Sequence, residues 1–243
     1  NESCAAFVRE KIREKVKNPE VAEKLVPTTH PIFTKRPCVD TGYFETFNRD
    51  NVQLVDIRRH PIECIDAHGI QTTQAHYPLD TIVFATGFDA MTGSLLRMNI
   101  SGRGGLALKD AWHAGPRTYL GLQVPGFPNM FTITGPGSPS VLCNLPPAIE
   151  QHVNWITDCI KTLSEQGIER IEATEQASDE WCEEVNRAAN ATLLAQVKHS
   201  WYLGANVPGK PQVFMPYAGG FGHYTEICNQ VARDNYKGFR FSA

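Results

Sequence analysis

Apolar residues first recur at helical spacing. Phe7, Val8, Ile12 and Val16, set among charges, predict an amphipathic helix over residues 3–17. Asn18-Pro19 supplies a cap followed by a first-turn proline and predicts a short helix ending at Leu25. Residues 27–40, PTTHPIFTKRPCVD, have no period, and their three prolines predict a stiff, extended loop carrying Lys35-Arg36. Tyr43–Phe47 predicts a helical turn. FNRDN reads as a polar turn before a strand over Val52–Ile57. Pro61–Ile65 and Gly69–Thr73 predict a hairpin turning through Asp66-Ala67-His68-Gly69.

The most organised apolar stretch is LDTIVFATGFDA, Leu79 to Ala90. Leu79, Ile82, Val83 and Phe84 are nearly continuous, which predicts a strand over 79–85 covered on both faces. It runs out into Ala85-Thr86-Gly87, small residues that let backbone approach a neighbour. Two readings stay open: a strand end facing a nucleotide-like ligand, or a tight exit from a buried strand. A second buried strand is predicted over Pro128–Thr134. It feeds the loop GPGSPS and then a helix from about Leu145, with Asn144 as cap and Pro146-Pro147 in the first turn. Ile149, Val153, Ile156, Ile160 and Leu163 form that helix's expected core stripe. Strand, Gly-rich loop and helix start would aim free N–H groups at an acceptor-rich ligand. An unliganded β–α turn has the same text.

Beyond this, 168–173 predicts a short strand, and Ser178 caps a helix from Asp179 to about Val197. SWYLGANVPGKPQVF is an aromatic loop. The final helix spans 222–234, with Tyr224, Ile227, Cys228 and Val231 inward and Gly238 after its stop. Gly102, Gly104 and Ala107 spell GxGxxA, but no buried strand precedes them and no long helix follows, so they read as a surface turn. The pattern loosens near 88–92, where a domain boundary is expected.

Composition narrows the function. With 243 residues and 42% hydrophobic content the chain can bury a core, and a net charge of −3 at pI ≈ 6.3 gives no basic footprint for nucleic acid. No apolar run approaches the ~18–20 residues of a membrane span. The charged N-terminus has no signal-peptide hydrophobic region and no initiating Met, so a processed, trimmed or partial chain is expected. Seven scattered cysteines without CxxC, and eight histidines without HxxxH spacing, predict no disulfide framework, no metal and a reducing, cytoplasmic setting.

Several stretches together resemble the type I Baeyer–Villiger monooxygenases, the flavoenzymes that include phenylacetone and cyclohexanone monooxygenases. They are KRP at 35–37, YFETFNRDNVQLVD, LDTIVFATGFDA, GPRTYLGLQVPGFPNMFTITGPGSPS, NLPPAIEQHVNWI, SWYLGANVPGKPQVFMPYAGGF and YKGF, in that order along nearly the whole chain. The phenylacetone, steroid and large-ring ketone members look most similar, through GPGSPS and IEQHV. The family's two GxGxxG-type fingerprints and its FxGxxxHxxxW signature are missing from this text, and the resemblance places them before Asn1. ATLLAQVKHSW is one residue longer than the family's usual segment, which leaves the path into Trp201 open.

The resemblance implies an α/β flavoprotein with FAD and NADP dinucleotide-binding domains, of which only the C-terminal portion is present. Residues 1–88 would end the NADP-binding domain and 89–243 the FAD-binding domain, completed by the N-terminal half of the same enzyme. It also implies that ketones become esters or lactones, with O2 and NADPH, through a C4a-peroxyflavin. Arg36 matches the catalytic arginine, whose permanent charge suits an anionic reacting centre. Lys35 matches the contact to the NADP 2′-phosphate, and Trp201 a tryptophan on the nicotinamide ribose side. Thr86, Gly87, Asn144 and Leu145 match FAD contacts, while Leu142, Leu145 and Met215 match the apolar substrate pocket. A related flavin N- or S-monooxygenase and a non-catalytic α/β binding module are the competing readings.

Overall fold

The first helix closes through its neighbours' polar groups as much as through its own apolar stripe. In the computed structural model, which describes residues 1–242, α1 (Glu2–Lys15) buries Ile12 against Ala22 of α2 (Pro19–Leu25), together with Val16 and Val26 beyond the helix ends. The Asn18 side-chain oxygen accepts the Glu20 and Val21 amides at 2.9 and 3.3 Å, capping α2 behind a proline that has no N–H to satisfy. Asn48, from the polar turn after α3 (Tyr43–Thr46), donates to the Lys15 carbonyl at 2.7 Å and accepts the Lys17 amide at 2.8 Å. One amide thus satisfies two backbone groups that the end of α1 leaves over. Phe7, expected on the inner stripe, is exposed.

Residues Asn1–Gly87 form one unit, and the chain from Phe88 onward forms another. The first unit's sheet is antiparallel, β1 (Ile62–Asp66), β2 (Gly69–Thr72) and β3 (His76–Pro78) in sequence order. Asp66 pairs with Gly69 and Ile65 with Ile70 across the expected hairpin. Gly69 is obligatory: a Cβ there would lie 2.0 Å from the Tyr77 carbonyl oxygen.

Two expected strands of this unit do not form. Val52–Ile57 joins no ladder among the described residues, Ile57 already lies in a turn, and residues 54–59 border an open cleft beside α2. Leu79–Ala85 likewise forms no strand: the Leu79 amide still bonds the His68 carbonyl at 3.0 Å, and beyond it Val83 is 83% and Phe84 72% exposed. The strand in this region lies a few residues earlier, at β3. A strand exists through its ladder partners, and an apolar run alone cannot supply them.

In the second unit, α4 (Gly93–Arg97) and α5 (Leu108–Ala111) flank a small core of Leu108, Trp112, Val124 and Phe127. The larger core gathers α6 (Leu145–Glu165), α7 (Glu175–Asn190) and α8 (Phe221–Arg233) around Trp155, Trp181, Tyr224 and Leu120. β4 (Arg170–Ala173) pairs antiparallel with β5 (Phe239–Ser242). Side chains cover the other edge of β4: Asn129 Oδ1 accepts the Ile171 amide at 3.0 Å and Gln123 Oε1 the Ala173 amide at 2.9 Å. No parallel strand pair occurs among the described residues.

The second unit corrects three further expectations. Pro128–Thr134 is not a strand; only a single bridge, Gln123 to Phe131, forms, because Asn129 and Thr134 take left-handed φ values of 60° and 52°. On α6 the buried stripe is Ala148, His152, Trp155, Cys159 and Leu163. Of the expected stripe, Leu163 is buried and Ile156 packs against the core, but Ile149, Val153 and Ile160 are 41%, 41% and 53% exposed, so the helix is apolar on two faces and the expected stripe straddles them. Helix α7 starts at Glu175, not Asp179, because Thr174 Oγ1 accepts the Ala177 amide; it ends at Asn190, and Ser178 is buried inside it. By contrast, α8 lies within a residue of its expected span, with Tyr224, Cys228 and Val231 buried.

Glu172 fastens β4 to its surroundings. Its Oε1 accepts from Arg103 at 2.6 Å, Arg240 at 2.8 Å and the Gly126 amide at 2.8 Å. Burial pushes its pKa up, but the hydrogen bonds from Arg240 and Gly126 and the arginine charges outweigh it, and the net shift is downward. Glu172→Gln removes the charge and keeps the shape. Because both arginines are about half exposed, the expected loss is about 1–3 kcal/mol in urea unfolding at pH 7. A carboxyl with a depressed folded pKa stabilises above its unfolded value and loses that as pH falls, so the gap between wild type and Glu172→Gln should shrink below about pH 4.5. An unchanged midpoint at pH 7 would rule out this role.

Candidate functional site

In the first unit, Lys35 and Arg36 stand exposed on the loop that follows a tight turn. The Thr34 amide and hydroxyl both donate to the Pro31 carbonyl, at 3.3 and 2.5 Å, and Phe33 is forced to a φ of 67°. Asp40 anchors the far end, accepting the Tyr43 amide at 2.6 Å and pairing with Lys15 at 3.0 Å. Burial, and then the charges of Lys35 and Arg58, hold the His30 pKa below its ordinary 6.5, so the loop is electropositive. Thr86 and Gly87 close this unit, both exposed. Gly87 has a φ of 86° with nothing within 4 Å of a Cβ position, so its glycine serves backbone conformation.

In the second unit, a strap over residues 200–217 joins two of the quoted motifs. At one end the Met215 carbonyl accepts the Gly137 amide at 2.6 Å, and the Tyr217 amide donates to the Ser138 carbonyl at 2.7 Å. This fastens the strap to the GPGSPS loop. Toward its middle, Asn206 Nδ2 donates to the Phe88 carbonyl at 3.0 Å, and Lys210 donates to Asp89 and to the Ala90 carbonyl. Trp201 opens the strap in a turn capped by Ser200, half-buried, with its ring 4.5 Å from that of Tyr202. Met215 is almost wholly buried. Leu142 lies in the short turn Ser140–Leu142 and packs partly against the core. Asn144 and Leu145 start α6 and are exposed; the Asn144 side chain makes no cap bond, and Pro146-Pro147 offer no N–H. Two backbone donors, those of Asn144 and Leu145, therefore remain at this helix start for a ligand.

The GPGSPS loop is braced from below by a buried polar chain. The Thr134 amide donates to His152 Nδ1 at 2.8 Å, His152 Nε2 meets Tyr224 Oη at 2.8 Å, and Tyr224 Oη donates to the Leu120 carbonyl at 2.7 Å. A backbone amide can only donate, so Nδ1 must present a lone pair and the proton resides on Nε2. The chain is satisfied at every link only with a neutral His152, and burial lowers its pKa to about 4. Sequence reasoning named Tyr224 only as core, and it missed His152, Asp89, Asn206 and Lys210. His152 sits in the quoted IEQHV and Lys210 in GANVPGK, but nothing in the text links either to its partner.

His152 yields a pH prediction. Its folded pKa, about 4, lies below the ordinary 6.5, so the unfolded chain binds more protons between these values and stability falls as pH drops through that window. The effect amounts to about 3 kcal/mol in full. His152→Gln, which can accept from Thr134 and donate to Tyr224, should flatten the loss between pH 6.5 and 4 in urea titrations. His152→Leu should cost about 1–3 kcal/mol at pH 7 by stranding two polar groups. Parallel pH profiles for wild type and His152→Gln would exclude the assignment.

No protein-family model matches the chain. A 2-oxo-Δ3-4,5,5-trimethylcyclopentenylacetyl-CoA monooxygenase of Pseudomonas putida is 44% identical over 100% of the chain, which covers 45% of that relative. The solved structure of oxidized steroid monooxygenase bound to NADP is 54% identical, with a TM-score of 0.91 over 99% of this chain and 45% of its own. That of OTEMO in complex with FAD and NADP is 43% identical, with a TM-score of 0.95 over 100% of this chain and 44% of its own. The chain thus spans somewhat under half the length of the relatives it matches. Those relatives are Baeyer–Villiger monooxygenases, and by sequence and fold this chain belongs with them, as their C-terminal portion.

Proposed function

We propose that the chain is the C-terminal part of an FAD- and NADPH-dependent Baeyer–Villiger monooxygenase. The overall reaction balances as ketone, O2, NADPH and a proton giving ester or lactone, water and NADP+. The observation that carries the reading is the strap over 200–217. It ties together, in one unit, the FDA segment, the GPGSPS loop and the GANVPGK loop, three stretches far apart in sequence that the resemblance had already singled out.

The residues present fit the two cofactors. A phosphate needs an accessible positive charge, and Lys35 and Arg36 are exposed in an electropositive loop. An acceptor-rich ligand needs unspent donors, and the exposed start of α6 keeps those of Asn144 and Leu145. Bound FAD and NADPH would supply the redox chemistry that reduces O2. Lys35 would hold the NADP 2′-phosphate as a point charge, and Trp201 would cover the nicotinamide ribose side. Thr86, Gly87, Asn144 and Leu145 would contact FAD through backbone. Arg36 would set a permanently charged fork of donors against the oxygen that becomes negative as the ketone carbonyl is attacked. Leu142, Leu145 and Met215 would form apolar walls for the ketone. In this reading the first unit ends the NADP-binding domain and the second completes the FAD-binding domain. The N-terminal half of the same enzyme would cover the exposed Val83 and Phe84 and the outer face of α6.

The test uses the full-length protein that contains this chain, isolated with its flavin. Ketones of aryl, cyclic and steroid type should give ester or lactone in step with NADPH consumption. Arg36→Ala should keep FAD and lose ester formation by a factor of about 100 or more. Lys35→Ala should raise KM for NADPH about tenfold while leaving kcat nearly unchanged. Near-normal oxygenation by Arg36→Ala would remove that residue from the chemistry. Turnover of amines or sulfides in preference to ketones would favour the N- or S-oxidising reading, and a colourless full-length protein would leave only a binding module.

A further inference from the structure

We infer that Lys210 is a positioning residue that pins the loop carrying Trp201 and so sets the pose of the nicotinamide cofactor. The inference rests on the function proposed above and adds a residue to it. Lysine heads ordinarily stay in water, yet the Lys210 side chain is only 9% exposed. Its ammonium lies 2.5 Å from Asp89 Oδ1 and 3.0 Å from the Ala90 carbonyl oxygen. Glycines make room at both ends of the pair. A Cβ on Gly204 would stand 3.2 Å from Lys210 Cδ and 3.3 Å from Cε, and one on Gly93 would stand 2.5 Å from Asp89 Cγ. The pair is therefore built into its surroundings from two sides. Asn206 adds a parallel tie to the Phe88 carbonyl at 3.0 Å.

The tie matters because the loop's own backbone bonds, such as Ala205 to the Ser200 carbonyl and Val207 to the Gly204 carbonyl, are local, and only Lys210 and Asn206 among the described residues carry it to the 88–90 segment. Between Ser200 and Lys210 the regular structure is one short turn, Trp201–Leu203, followed by Gly204 at a φ of 75°. Trp201 precedes this glycine by three positions, and Lys210 follows it and packs across it. Releasing the ammonium would loosen the glycine-hinged stretch that follows Trp201, whose indole packs against Tyr202 and the edge of the core.

The test compares Lys210→Met, which keeps the stem and removes the charge, with Asp89→Asn and the double variant in the flavin-loaded full-length protein. Flavin content and thermal midpoint establish that each variant is folded. Chymotrypsin should cut after Trp201 or Leu203 about tenfold faster in Lys210→Met, and KM for NADPH should rise about tenfold with kcat within about twofold. More of the NADPH consumed should yield hydrogen peroxide and less should yield ester. Asp89→Asn should shift each quantity in the same direction, and the double variant should be no worse than Lys210→Met, since both remove one interaction. Folded variants with unchanged KM and product yield overturn the inference even where cleavage accelerates, and so do strictly additive losses. If wild type oxidises NADPH but makes no ester, the proposed reaction fails, while KM for NADPH and the cleavage rate still decide the role of Lys210.

Discussion

The second unit's candidate site depends on a strap that has almost no secondary structure and is held at its C-terminal end and near its middle by hydrogen bonds. The bonds from Gly137 to Met215 and from Tyr217 to Ser138 are backbone to backbone, so they specify a path for the chain without specifying side chains. Side chains then do the selecting: Asn206 and Lys210 reach the 88–90 segment, and Tyr202 and Met215 enter the core. An irregular segment is costly to order, because each fixed residue loses about 1–2 kcal/mol of backbone entropy. Anchoring it at two distant points reduces that cost to short arcs, and a side chain such as Trp201 can then be presented at the surface without being mobile.

The same logic explains the polar chain under the GPGSPS loop. A glycine- and proline-rich loop has few side chains with which to pack, so its position must come from its flanks. His152 supplies this from α6, reaching the Thr134 amide with one nitrogen and Tyr224 of α8 with the other. Ser138 and Thr132 add turns of their own, to the Gly135 and Gly121 carbonyls at 2.7 and 2.8 Å. Buried polar groups satisfied in series define one geometry, because breaking any link strands its neighbours.

Legibility in the sequence followed the range of the interaction. Asn18-Pro19, the Asp66–Gly69 hairpin and the cap-to-stop span of α8 are set within a few residues, and the structure has them where the text puts them. The strands expected at 52–57, 79–85 and 128–134 needed ladder partners that pattern cannot supply, and none formed a paired strand. On α6 the expected stripe and the buried one are offset by about one residue, because the helix carries apolar residues on two faces and periodicity cannot rank them. The candidate site was legible as motifs. Its couplings were not, since Asp89 and Lys210 lie 121 residues apart and neither reads as paired.

The two lysines of the quoted motifs show why the couplings matter more than the motif list. Lys35 and Lys210 each sit in a family-specific string, and residue type alone would offer both as phosphate contacts. Lys210 directs its ammonium at Asp89 and the Ala90 carbonyl, and its side chain is nearly sealed from water; presenting it to a ligand would break both contacts and leave the half-buried Asp89 without its cation. Lys35 carries no such debt. It is exposed, and with Arg36 it follows a turn whose strained φ at Phe33 holds the loop's course. Solvation therefore separates the roles: the accessible lysine can meet an anion that arrives, and the enclosed one can only hold what is already there.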